Sequence, residues 1–156
     1  MAFGIEKYKT MQIPIPADEQ IYLVPRTLIW TGGWTGEWKD TILVFTSKGI
    51  HFRVRKDKMI VVDYSGGANH SLLKNTFLAY DRIAGFTQGS GLWKNTVIIQ
   101  MVDGLSIRFA FNRDLATVMQ MLPQVAWPGY PRNLMPYDYD SHNPEAVPHV
   151  MVPAPR

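Results

Sequence analysis

Thr96 to Leu122 read TVIIQMVDGLSIRFAFNRDLATVMQML, and three signals in that stretch decide the fold class. Asp103-Gly104 lies between two apolar runs, which predicts a hairpin whose two turn residues both take φ > 0. After it, Leu105, Ile107, Phe109 and Phe111 alternate with Ser106, Arg108 and Ala110, the period of a half-buried strand. Thr96 to Val102 is then its antiparallel neighbour, a pairing that sets Gln100 on the face of Ile107. The period next changes to that of a helix. Leu115, Val118, Met119 and Leu122 stand at i, i+3, i+4 and i+7, with Asn112 as the expected N-cap, Asp114 near the positive end of the dipole, and Pro123 as the expected stop.

Outward from this stretch the period stays near two. Ile50, Phe52 and Val54 alternate with His51, Arg53 and Arg55, and further strands are expected over 21–30, 41–46, 59–64, 76–80 and 83–88. The runs 65–69 and 89–91, rich in Gly, Ser and Asn, read as loops. Eight of the 11 prolines fall from Pro123 to Pro155, the others being Pro14, Pro16 and Pro25, and because proline is excluded from interior strand and helix positions they mark the ends of the body. The expected organisation is an N-terminal arm, 1–16, a single domain, 17–126, and a Pro-rich tail, 127–156.

With 156 residues, 46% apolar and 19% charged, the chain suits one core, and its aromatic content argues against disorder over most of its length. The absence of cysteine removes disulfides, thiolate metal sites and cysteine nucleophiles. Met1 to Gln12 lacks the apolar run of a signal peptide, and no segment approaches the ~20 apolar residues of a membrane span. A cytoplasmic protein, peripheral to the membrane if recruited there, is expected. Lys and Arg outnumber Asp and Glu by 16 to 13, and the excess is local: Lys48, Arg53, Arg55, Lys56 and Lys58 against Asp57 make +4 in eleven residues, so the rest of the chain sums to −1.

This order of elements resembles the pleckstrin-homology (PH) superfold, most closely its bacterial PH-like and GRAM-like branch, over roughly Ala17 to Val125. Asp18-Glu19-Gln20-Ile21-Tyr22-Leu23 resembles the family's acidic lead-in and first strand, and Ile42 to Phe52 resembles its second strand, tight turn and third. Phe77-Leu78-Ala79-Tyr80-Asp81-Arg82-Ile83 is similar to its aromatic-Asp-x-Ile step, followed here by Gly89-Ser90-Gly91, Asp103-Gly104 and Asn112 to Gln120. The resemblance implies a mainly β fold: a partly open antiparallel β-barrel of seven or eight strands capped by one C-terminal α-helix. Its ligand end would be the end away from the helix, formed by the early hairpin loops. A superfold does not fix a function.

Three features are candidates for binding. By alternation His51, Arg53 and Arg55 share a face, with Lys48, Lys56 and Lys58 at the flanking turns; arginine forks suit phosphate, and clustered lysine attracts an anionic surface. Lys48-x4-Arg53-x-Arg55 also resembles the basic pattern of phosphoinositide-binding PH domains, although Ser47-Lys48-Gly49 reads as a tight turn where the family has a long loop. Trp30 to Trp38 holds three tryptophans among three glycines, a hairpin loop in which Trp34 is the expected membrane or partner anchor and Trp30 and Trp38 pack inside strand ends. The tail, with seven prolines and Tyr130, Tyr137 and Tyr139, reads as extended.

Nothing points to catalysis. His51, His70, His142 and His149 fall in no metal-binding spacing, Gly89-Ser90-Gly91 opens a strand where a nucleotide loop would open a helix, and no nucleophile elbow is present. No cofactor is expected. A nucleic-acid stacking platform is not expected either, because His51 and Phe52 face opposite sides. The reading is a non-enzymatic binding or adaptor module recruited to an anionic lipid surface or an acidic protein. The alternative is a structural protein that docks or forms homo-oligomers through its sheet edge, tryptophan loop and tail.

Overall fold

The computed structural model describes residues 13–31, 37–54, 60–62, 70–72, 76–126 and 149–152. In chain order the strands are β1 (Ile13–Pro16), β2 (Ile21–Leu23), β3 (Arg26–Thr31), β4 (Glu37–Thr46), β5 (Gly49–Val54), β6 (Ile60–Val62), β7 (His70–Leu72), β8 (Thr76–Ala79), β9 (Ile83–Gln88), β10 (Thr96–Met101), β11 (Ser106–Ala110) and β12 (His149–Val152). Among the described residues one α-helix, α1 (Leu115–Val125), follows a 3-10 turn at Asn112–Asp114.

The protein is mainly β, built on an eight-stranded antiparallel sheet in the order β8-β5-β4-β3-β11-β10-β9, with β2 also paired to β4. The sheet is not closed: β8 and β9, consecutive in the chain through the 3-10 turn Tyr80–Arg82, are its two ends. The expected strand over 21–30 is two, because Pro25 has no N–H for the ladder. β2 pairs the C-terminal part of β4 (Leu23 with Phe45) and β3 the N-terminal part (Arg26 with Ile42 through Thr31 with Glu37).

Alternation on these strands fills one inner face. Ile29, Leu43, Phe45, Ile50, Phe52 and Leu78 from one half of the sheet meet Val97, Ile99, Ile107 and Phe109 from the other, and Val118 and Leu122 of α1 belong to the same buried cluster. The helical spacing thus caps the core. Its ends differ from expectation. Asn112 takes φ 49 in the 3-10 turn and does not cap the helix, while Asp114 turns away and its Oδ2 accepts a hydrogen bond from the backbone N–H of Arg26 at 3.0 Å, fixing the start of α1 to the start of β3. Pro123 sits within the last turn, exposed, and the helix runs on to Val125.

The β10–β11 hairpin is also built differently from the expected two-residue turn. Gln100 pairs with Ser106, the Met101 N–H donates to the Leu105 carbonyl at 2.7 Å, and the Gly104 N–H donates to the Met101 carbonyl at 3.1 Å. Only Gly104, at φ 98, needs a left-handed backbone; Asp103 uses Oδ1 to accept from the Leu105 N–H at 3.1 Å. The loop is therefore three residues long and ends in a glycine bulge. That one-residue shift places exposed Gln100 opposite Ser106 and pairs Ile99 with Ile107 on the core side.

Parts of the expected arm and tail join in a second layer. β1 pairs with β12, from Ile13 with Val152 to Pro16 with His149, and Ile13 and Ile15 bury themselves against Ile42 and Val44 on the outer face of β4. Prolines 14 and 16 are tolerated because this is a two-stranded ribbon. β6 and β7 form another two-stranded ribbon; the expected 59–64 strand is described only over Ile60–Val62, and the expected loop at 65–69 lies outside the described residues.

Candidate functional site

Among the described residues the basic strand does not form one site. In β5 the register sets His51 opposite Val44 and Arg53 opposite Ile42, so both stand on the outer face, as alternation requires. The layer over that face separates them. His51 is 1% exposed, stacked 4.4 Å from the Phe77 ring of β8, with its Nε2 2.8 Å from Glu19 Oε1. The same Glu19 oxygen accepts from the Thr46 hydroxyl at 2.5 Å. The expectation that His51 meets a ligand at the surface is thus corrected: it is a buried partner of the turn that joins β1 to β2.

Lys48 is exposed at the β4–β5 turn, and its Nζ is 2.6 Å from Asp18 Oδ2. Their hydrogen bond, aided by the opposite charge, holds the Asp18 carboxyl below its usual range and raises the Lys48 ammonium. The acidic lead-in, Asp18 and Glu19, therefore docks on the basic strand, and the Ser47 N–H donating to the Gln20 carbonyl at 2.8 Å fastens the two turns together. Arg53 is half-buried near the far end of β5, five residues from Lys48 and so about 16 Å along the strand. One headgroup-sized anion held by Lys48, His51 and Arg53 together is excluded by these positions. Arg55, Lys56, Lys58 and Trp34 lie outside the described residues.

A second constellation lies on the same outer face. Trp30 and Trp38 are cross-strand partners of β3 and β4, their rings edge to face with centroids 5.1 Å apart. Trp93, from the 3-10 turn Gly91–Trp93 that joins β9 to β10, completes a triad at 5.4 Å from Trp30 and 5.9 Å from Trp38. The Arg108 guanidinium lies 4.6 Å from the Trp93 ring centroid and donates to Thr96 Oγ1 at 3.1 Å. Trp30 and Trp38 stand at strand ends as expected, but on the outer face, because Ile29 and Phe109 take the inner one.

Beside the triad, Leu92 is 100% exposed and Trp93 37% exposed, with Lys94 exposed next to them. Sequence reasoning missed this tip, having read 89–91 as a plain loop; the apolar pair Leu92-Trp93 directly after it was the available signal. β5 ends with Val54 opposite Thr41, three residues along β4 from Trp38. Among the described residues no three metal-ligating side chains come together, and no helix is long and apolar enough to cross a membrane.

No protein-family model and no curated protein matches the chain. The crystal structure of the C-terminal domain of an unknown protein from Leishmania infantum is similar to it at 16% identity, over 73% of this chain and 84% of that one, with a TM-score of 0.41.

Proposed function

We propose that the chain is a non-enzymatic binding module of PH-like type that docks on an anionic lipid surface or an acidic protein through Arg53 and the basic residues that follow it. The meander β3-β4-β5-β8, the second meander β9-β10-β11 and the closing helix are the arrangement expected of such a module. The observation that carries the reading is the Lys48–Asp18 pair. With Lys48 set against Asp18, the sequence from Arg53 to Lys58 sums to +3, equal to the charge of the whole chain. Each basic residue near an anionic bilayer contributes about 1 kcal/mol, so four of them give useful attraction only when they act together.

The test is vesicle co-sedimentation with the Arg53→Glu, Arg55→Glu double variant. Preferential binding of the native chain to anionic over neutral vesicles, lost in the variant, supports the lipid form of the reading. Equal binding to both kinds of vesicle, or binding that survives the charge reversal, sinks it. The assembly alternative draws on the tail, whose His149–Val152 segment is already paired with β1 in a single chain.

A further inference from the structure

We infer that the β9–β10 turn is a membrane anchor in which Leu92 and Trp93 enter the interfacial layer of an anionic bilayer. The inference rests on the basic run as a docking surface and narrows its partner to lipid. A leucine wholly in water at the tip of a turn is ordinary when the turn is loose. This turn is held. The Gly89 N–H donates to the Thr96 carbonyl at 2.9 Å, the Trp93 N–H to the Ser90 carbonyl at 3.0 Å and the Thr96 hydroxyl to the Trp93 carbonyl at 2.7 Å. Gly89 leaves so little room that a Cβ there would stand 2.2 Å from the Trp93 carbonyl oxygen. The indole is clamped from behind by Trp30, Trp38 and Arg108. The protein thus spends a rigid scaffold on presenting Leu92 outward.

Shape and charge decide the occupant. The apolar atoms form a projecting tip, which suits penetration of a fluid surface better than a partner's side-chain packing. Tryptophan and leucine beside a lysine that can reach the headgroups is the composition of an interfacial anchor. From Ile83 to Met101 there is no Asp or Glu, while Lys94 flanks the tip and Arg108 backs it.

The chain has no cysteine, so Leu92→Cys carries a single environment-sensitive fluorophore such as NBD, and Ala116→Cys on the exposed side of α1 carries the control. On vesicles of phosphatidylcholine with phosphatidylserine, the label at 92 should brighten and shift to the blue while that at 116 stays as in water. Unlabelled Leu92→Ser, with an unchanged melting curve, should bind the same vesicles about tenfold more weakly. A label at 92 that stays in water on vesicle-bound protein overturns the anchor; if that binding is still abolished by Arg53→Glu, Arg55→Glu, the basic-run reading survives alone. A chain that ignores both anionic and neutral vesicles overturns the anchor and the lipid form of the reading together, leaving an acidic protein as the partner to test.

Discussion

Glu19 Oε1 stands 2.8 Å from His51 Nε2, and this contact fastens the turn after β1 to the middle of β5. Both side chains are almost wholly out of water, at 5% and 1% exposure. The carboxylate also accepts from the Thr46 hydroxyl, so its removal takes an acceptor away from two buried polar groups at once. Glu19→Ala should therefore destabilise the fold by about 2–4 kcal/mol, read from urea unfolding. Glu19→Gln, which keeps an acceptor oxygen, should recover part of that loss. A cost below about 0.5 kcal/mol for Glu19→Ala would mean that the pair is not closed in solution.

Asp18 and Lys48 form an exposed counterpart with a different role. Asp18 is held below its usual 3.8 and Lys48 above its usual 10.5, first by their mutual hydrogen bond. A depressed carboxyl contributes stability above its unfolded value and loses it as pH falls through the folded one; a raised ammonium contributes below its unfolded value and loses it as pH rises through the folded one. The pair's contribution is thus flat through neutrality, and solvent and salt keep it small. Its effect on binding should be easier to see. Asp18→Asn at pH 7 should strengthen attachment to phosphatidylserine vesicles about fivefold by releasing Lys48, with a melting temperature close to native. Unchanged attachment would show that the Lys48 end of β5 lies away from the bound surface.

The alternation of residues 50–54 correctly set His51 and Arg53 on one face, but a period of two says only which side a residue takes, not what covers that side. The cover is β1, whose Ile-Pro-Ile-Pro sequence has a strand period of its own, masked by reading proline as the end of structure. Its pairing partner lies 139 positions away, at Val152 opposite Ile13, beyond the reach of local pattern. The hairpin shows the reverse case. Asp103-Gly104 located the turn, and the polar Gln100 on an apolar face was already the mark of a one-residue error in register, since a slip of one exchanges the faces of a strand. The positions of most strands of the main sheet, the inward-facing residues of 50–54 and 105–111, and the closing helix were legible because burial imposes their period, whereas the order of the strands in the sheet was not. The tryptophan triad was half legible, since Trp30 and Trp38 are local in sequence and Trp93 joins them only through the β3-β11-β10 neighbourhood.

The β1–β12 ribbon yields a prediction about cooperativity. Ile15 is fully buried against the outer face of β4, away from the main core, so Ile15→Ala should cost about 2–4 kcal/mol through lost burial and the cavity left behind. Leu122→Ala, in the main core, should cost a similar amount. The two variants should differ in kind. Ile15→Ala loosens the cover first and should raise hydrogen exchange in β4 and β5 before global unfolding, whereas Leu122→Ala should raise it throughout the sheet. Identical exchange patterns would show that the ribbon and the sheet open as one unit.

Trp93 and Leu92 are adjacent, yet their substitutions should separate stability from surface chemistry. Trp93 packs edge to face with Trp30, lies tilted against Trp38 and sits under the Arg108 guanidinium. Aromatic pairs contribute about 0.5–1.5 kcal/mol each and a cation over an indole about 0.5–1 kcal/mol. Trp93→Ala should then cost about 2 kcal/mol and shift the remaining tryptophan emission to the red as Trp30 and Trp38 gain water. Leu92 touches only solvent, so Leu92→Ser should leave unfolding within about 0.5 kcal/mol of native. If Leu92→Ser were as destabilising as Trp93→Ala, the turn would be packing against something in solution, and a leucine so covered could not serve as an anchor.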